Sequence, residues 1–364
     1  MSGSPSESSY TPINKGQFTL ETPEREAAFD KNRGFGQEEA YRENRRQWEE
    51  NPKKRIVAPY PLHVDLELAS VCNLRCPMCY TITDEFKKRV NATLMKYELF
   101  TKLIDECAAG GVYSIRLSLR GESFLHPKIV DCIAYAKKKG IKEVSTLTNG
   151  VRLDEKMFEK IMKLGIDWIT ISFDGMHETY EKIRAPAKFD RAVEKIRNYQ
   201  EIKRKAGSVK PVIKVQAIFP SIEKDPKLFY DTFAPITDMV SSNPLIDYLG
   251  NDKADKILYH ENFSCPQLYQ RLVVGADGVV MMCSNDEDQL HPVGDAKTQT
   301  LKEIWHGPEM TKARESHARH CGMGDYRACA KCYLPRRTQP TSIAIGDRTV
   351  TADNYIGRSQ IIGT

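Results

Sequence analysis

Residues 62–80 read LHVDLELASVCNLRCPMCY. The first seven alternate apolar and polar residues, the pattern of a strand with one buried face. The rest places Cys72, Cys76 and Cys79 within eight positions, spaced C-x3-C-x2-C. Three thiolates this close do not suit a disulfide, which strands the third, or a tetrahedral zinc site, which takes four ligands. A strand running straight into a cysteine-bearing loop suits a βα barrel, where loops after strands carry the chemistry.

The same alternation recurs in YSIRLSL (113–119), KEVSTLT (142–148), WITISF (168–173) and VIKVQAI (212–218). Helical patterns lie between most of these segments, and those over 127–140 and 154–165 stop at Gly140 and Gly165. Repeated βα units imply a parallel sheet. Parallel strands covered on both faces usually read as continuous apolar runs. Here one face carries Asp65 and Glu67, Arg116, Ser118 and Arg120, Thr170, Ser172 and Asp174, and Lys214 and Gln216. The expectation is an α/β fold whose sheet curls into a partial barrel around a polar lumen.

Bulk properties narrow the function classes. The chain has 364 residues, 40% of them hydrophobic and 28% charged, enough for a sizeable soluble core. No apolar run reaches the roughly 20 residues of a membrane span. The N-terminal MSGSPSESSY shows no basic and apolar signal pattern, which predicts a cytoplasmic protein with no membrane partner. A net charge of +5 is mildly basic for this length and only weak evidence for a nucleic-acid partner, so none is expected. Ten cysteines in a reducing compartment point to metal or catalytic sites. Cys107 and Cys132 sit in register with apolar helical positions and read as buried.

Four segments are expected: a polar extension over 1–55, a partial barrel over 56–250, a cysteine-rich unit over 251–335 and a tail over 336–364. The first 20 residues read as disordered, and EEAYRENRRQWEEN as a helix with Tyr41 and Trp48 on one face. The third segment holds Cys265, Cys283, Cys321, Cys329 and Cys332, including one C-x2-C pair that also suits zinc. LKEIWHGPEMTKARESHARH reads as helical, and SIAIGDRTVTADNYI as a strand or hairpin.

The strand, the triplet and Tyr80 together resemble the radical S-adenosylmethionine (SAM) superfamily, over roughly residues 58–335. The resemblance implies a partial (βα)6 TIM-like barrel with Cys72, Cys76 and Cys79 ligating a 4Fe–4S cluster whose open iron binds SAM. It implies reductive SAM cleavage and hydrogen abstraction from a substrate by a 5′-deoxyadenosyl radical. RGESFLHP resembles the family's Gly-Gly-Glu-Pro motif, with Arg120 and Ser123 replacing the first Gly and the Pro. Gly121 and Glu122 would meet the methionyl amino group. Thr148 and Asn149 in TLTNG, Ser172 and Gln216 fall where the family contacts the cofactor, and Arg184 where it pairs with the methionyl carboxylate. Bland readings stand beside three of these: Glu122 as a cap, Arg184 as a surface charge and Gln216 as sheet packing.

Gly278 to Cys283 and LKEIW resemble the family's SPASM and twitch extensions. The resemblance implies one auxiliary 4Fe–4S cluster on Cys265, Cys283, Cys329 and Cys332, as in the butirosin-pathway amino-cyclitol dehydrogenase. Cys321 is then left as an alternative ligand, a structural residue, or a catalytic hydrogen-atom donor. His317 and His320 read as neighbours of the site rather than ligands. The expected activity is oxidation or epimerisation of a carbinol carbon in a sugar or aminocyclitol, with Asp65, Glu67, Arg116, Arg120 and Lys214 suited to such a substrate. An external one-electron reductant such as flavodoxin or ferredoxin is implied. Radical modification of a ribosomally made peptide is the alternative, and a non-enzymatic iron–sulfur or zinc module the remote one.

Overall fold

The computed structural model describes residues 9–13, 18–246, 250, 253–254 and 257–363. In chain order the strands are β1 (Phe18–Thr19), β2 (His63–Leu66), β3 (Ser114–Arg116), β4 (Glu143–Thr148), β5 (Trp168–Ser172), β6 (Val212–Ile218), β7 (Met239–Asn243), β8 (Lys253–Ala254), β9 (Arg271–Val274), β10 (Val279–Met281), β11 (Pro292–Asp295), β12 (Thr338–Ile345), β13 (Arg348–Tyr355) and β14 (Arg358–Ser359). One sheet runs β1-β7-β6-β5-β4-β3-β2-β9-β10-β11. Strands β2 to β7 are parallel throughout. They supply the expected six-strand α/β partial barrel. The sixth strand, β7, reads MVSSN and has too little apolar alternation to stand out in the sequence.

Apolar residues of these strands, among them Val64, Ile115, Val144, Ile169, Ile213 and Val240, are fully buried beneath the covering helices. The helix Tyr97–Ala109 buries Phe100, Leu103, Ile104 and Cys107, spaced three to four apart on one face. Each such side chain contributes about 1.5–3 kcal/mol through burial. Cys132 is likewise buried, on the helix Ile129–Lys138. Helices stop at Gly140 and Gly165, both in the left-handed region.

The N-terminal extension is part of this body. Helices α1 (Pro23–Gly34) and α2 (Glu38–Lys54) cover the start of the strands. Arg33 pairs with Glu143 at 2.6 Å and lies 4.3 Å over the Trp168 ring. Trp48 meets His63 edge-on at 6.1 Å. The expectation of disorder over the first 20 residues fails where residues are described: β1 pairs with β7, Leu20 is fully buried, and Tyr10 bridges Phe263. Residues 1–8 and 14–17 lie outside the described residues.

The cysteine-rich segment joins the barrel edge to edge. Strand β9 pairs in parallel with β2, so the barrel sheet continues through β10 and β11. Glu67 and Arg120 rivet this joint. Arg120 binds Glu67 through Nε at 2.7 Å and Nη2 at 2.6 Å, and Glu67 Oε2 accepts from the Ala276 amide at 3.0 Å. The expected helix over 301–320 is two, Leu301–Trp305 and Pro308–His317, because Pro308 cannot continue the first. The tail forms the β12–β13 hairpin, burying Ile343, Ile345 and Ala352. Among the described residues no helix is long and apolar enough to cross a membrane.

Candidate active site and metal centres

The triplet lies on the loop that leaves β2. Cys76 is buried, and Cys72 and Cys79 are half-buried. The loop turns tightly: the Cys79 amide donates to the Cys76 carbonyl at 3.0 Å. Burial pushes all three thiols up, Cys76 to about 11, while the nearby Arg184 charge lowers each.

The GES strap after β3 is laid against this loop. A Cβ on Gly121 would stand 2.4 Å from the Ala69 carbonyl oxygen and 2.5 Å from that of Val71, and its φ is +61°, so only glycine fits. The Glu122 amide donates to the Val71 carbonyl at 2.9 Å. The Glu122 carboxylate accepts from Thr148 Oγ1 at 2.7 Å, the Asn149 amide at 2.8 Å and the Phe124 amide at 3.1 Å. Burial pushes its pKa up. It caps the following turn and ties the strap to the end of β4. Asn149 Nδ2 reaches Asn73 Oδ1 at 2.9 Å and lies 3.8 Å from Cys72 Sγ. Gly121, Glu122, Thr148 and Asn149 therefore converge on the triplet.

Arg184 is half-buried, with its side chain 12% exposed, and is not a surface charge. Asp174, just past β5, engages it through Nε at 2.9 Å and through Nη2, while the other Asp174 oxygen accepts from the Ile218 amide at 2.8 Å. Ser172 and Gln216 are register partners on β5 and β6. Tyr80 is 2% exposed and faces Asp288. Its ring packs edge-on against Phe86 at 5.6 Å.

Cys265, Cys283, Cys329 and Cys332 are all buried. Burial pushes the thiols of Cys265, Cys283 and Cys329 up, Cys265 to about 12, and the neighbouring thiols push further. Asn285 Nδ2 donates to Cys332 Sγ at 2.9 Å, and His317 Nε2 lies 3.4 Å from Cys329 Sγ. His317 is 1% exposed and held by the Ala313 carbonyl at 2.9 Å. Four mutually coupled buried thiols become thiolates only beside a strong positive charge. Thiolates around one zinc ion stand roughly 3.8 Å apart, from a Zn–S bond of about 2.3 Å. Among the described residues only Glu261, His320 and Cys321 bring three ligand atoms within 4.8 Å of one another. No three cysteines of either set meet that spacing, which suits a larger iron–sulfur body.

Cys321 differs from the four buried cysteines. It is exposed, with its amide donating to the Glu261 carbonyl at 2.6 Å, and lies in a surface groove with Tyr259, His260 and Arg337.

The lumen itself is a cavity of about 370 Å³. Side chains from β2 to β7 and from β9 line it, including His63, Arg116, Thr170, Lys214, Gln216 and Asn243. Pro266, Ser284 and Tyr333 complete the wall, and each follows an auxiliary cysteine directly in sequence. The lumen set expected from alternation is corrected here. Glu67 and Arg120 are consumed by the joint, and Asp65 is fully buried beneath Arg116 at 2.8 Å and Arg271 at 3.1 Å. Burial opposes its ionisation, but these guanidiniums hold the Asp65 carboxyl well below the usual range. Arg33 and Arg271 were not singled out from the sequence, and Trp48 was read only as part of one helix face. Arg33 and Trp48 come from helices outside the βα repeat, and Arg271 from a strand the sequence pattern did not reveal.

Residues 66–213 match the Radical SAM superfamily model, and residues 265–333 the SPASM iron–sulfur cluster-binding domain model. Fe-coproporphyrin III synthase of Methanosarcina barkeri is 31% identical over 164 residues, which are 42% of this chain and 39% of that protein. The chain spans about two-fifths of the length of the first curated relatives it matches. The structure of BtrN in complex with AdoMet and 2-DOIA aligns with a TM-score of 0.52 at 19% identity, covering 74% of this chain and 92% of that one. Streptococcus suis SuiB bound to precursor peptide SuiA aligns with a TM-score of 0.53 at 12% identity, covering 76% and 71%. These structural likenesses concern the fold.

Proposed function

From a chain that carries a Radical SAM domain followed by a SPASM domain, and with them a SAM-binding 4Fe–4S cluster, SAM and auxiliary iron–sulfur chemistry, we propose an oxidoreductase acting on a small hydroxylated molecule. Cys72, Cys76 and Cys79 are the proposed ligands of the first cluster, and Cys265, Cys283, Cys329 and Cys332 those of the second. When bound, the first cluster and SAM supply a hydrogen-abstracting 5′-deoxyadenosyl radical. The chain's own residues do the rest. Gly121 and Glu122 shape the strap beside the triplet, and Thr148 and Asn149 fix it. Tyr80 packs the triplet loop against the SPASM segment. Asp174 holds Arg184, whose charge offsets that of the thiolates and suits the methionyl carboxylate. Ser172 and Gln216 present polar groups along β5 and β6. An external one-electron reductant of the flavodoxin or ferredoxin kind feeds the reaction. On this reading residues 56–250 form the barrel unit and 251–335 the auxiliary unit, flanked by the extension over 1–55 and the tail over 336–364.

The observation that carries the substrate reading is the lumen. Its wall is shared by the barrel strands and by the residues that follow Cys265, Cys283 and Cys332. Residues next in sequence to the auxiliary cysteines bring that set towards the lumen, which favours net oxidation, and Cys321 is exposed and not among the residues that line it. The volume suits a sugar or aminocyclitol. The test is anaerobic reconstitution followed by a substrate screen that reads deoxyadenosine and product mass. A loss of two mass units from a sugar or cyclitol is expected. Uptake of one solvent deuterium with no net mass loss, or turnover only on a peptide, overturns the reading.

A further inference from the structure

The lumen has an unbalanced charge. Arg33, Arg45, Arg116, Lys214 and Arg271 line it, and among the described lining residues Glu143 is the one carboxylate. Arg33 is neutralised by Glu143, and Arg116 and Arg271 share Asp65 behind the wall. Arg45 is half-buried over the Trp48 ring at 4.8 Å and, among the described residues, donates to the neutral Asn44 oxygen at 2.6 Å. Lys214, on β6, is 3% exposed, and its Nζ lies 5.8 Å from the centre of the Trp168 ring. Among the described residues no carboxylate pairs with it and nothing accepts a hydrogen bond from it. A buried ammonium without a counter-ion is costly. Burial, reinforced by Arg33 and Arg116, lowers its pKa to about 7.

Thr170 stands beside Lys214 in register, and Gln216 follows two residues along the same strand face. Both line the cavity. The wall therefore offers an ammonium and the Arg116 guanidinium next to neutral hydrogen-bonding groups. We propose that the substrate carries an oxyanion, a phosphate or carboxylate, which Lys214 and Arg116 receive in the lumen while Thr170 and Gln216 hold adjoining hydroxyls. The inference rests on reading the lumen as the substrate cavity, and it narrows the substrate to an anionic sugar or cyclitol. It also gives Lys214 a purpose that sheet packing does not: a methionine would fill the same space without the charge.

The test is equilibrium binding to the reconstituted full chain, with inorganic phosphate, glucose 6-phosphate, glucuronate and uncharged glucose as probes. The anionic sugars should bind about tenfold or more tightly than glucose, the scale of a charge-assisted hydrogen bond. Lys214→Met should erase that preference without changing glucose binding, and Lys214→Arg should keep most of it. The better of glucose 6-phosphate and glucuronate identifies the anion. Lys214→Met removes an uncompensated charge, so its thermal midpoint should equal or exceed that of the wild type, which excludes misfolding as the cause of lost binding. Equal affinity for all probes, no measurable binding of any, or an anion preference that survives Lys214→Met overturns the inference. Dithionite-driven deoxyadenosine release is read in parallel. Release without an anion preference sinks this inference and spares the functional reading. An anion preference without release supports the inference and sinks the functional reading.

Discussion

The two cysteine sets differ in how they meet their surroundings. The triplet sits on one loop, within eight positions, with two of its three thiols half-buried. The four auxiliary cysteines come from segments spread over residues 265–332, and all are sealed. A compact, partly open set can be preformed by one turn and leave a coordination position for a reactant. A dispersed, closed set cannot form until the chain around it folds, so its metal is also a structural staple.

The sharpest way to break this contrast is Cys76→Ala. Iron should fall from about eight to about four per chain, and deoxyadenosine release should vanish, since an open cluster does not tolerate losing one of three ligands. Retained cleavage would sink the assignment of the triplet. Cys283→Ala should lower iron by the same amount yet leave deoxyadenosine release measurable. It should abolish product and lower the unfolding midpoint. Cleavage lost in both variants would mean the sets are not separable.

Next in size is the joint between the two regions. Glu67→Gln leaves Arg120 buried without its counter-charge, which should cost about 3–5 kcal/mol in denaturant unfolding. An unchanged midpoint would show that the regions are joined elsewhere. The smallest effect is a pH slope. Lys214 faces Arg33 of α1, Arg45 of α2, Arg116 of β3, Glu143 of β4 and Arg271 of β9 around the cavity. Its folded pKa of about 7 lies below the unfolded value of 10.5, so the unfolded chain binds the extra proton between these limits. Stability should therefore rise with pH across that window, by up to about 1.4 kcal/mol per unit. Lys214→Met should flatten this part of the profile, as chemical denaturation at several pH values would show.

Much of this was legible in the sequence because it is local. Five strands announced themselves by alternation, and Cys72, Cys76 and Cys79 by spacing. Gly121 was legible by its place after a strand, although its reason, the close pass over the Ala69 and Val71 carbonyls, exists only in three dimensions. What the sequence hid was long-range pairing. Asp65, Glu67 and Arg120 have the residue types of a ligand-binding lumen, yet they spend their charges on Arg116, Arg271 and the joint. Periodicity tells which face a residue takes, not which partner waits there. Strand β9 was missed for the same reason. RLVV is short and apolar, and only its pairing with β2 shows that the sheet passes from one unit into the other.

That pairing has a consequence for how the protein is made. Glu67 and Ala276 are hydrogen-bonded across 209 positions. Until the ribosome has released the later segment, β2 is an open edge and Tyr80, beside the triplet, lacks Asp288. Such long-range parallel pairing is intrinsically slow to form. Synthesis thus leaves an interval before the second region pairs with β2, during which the bare edge is most prone to aggregate.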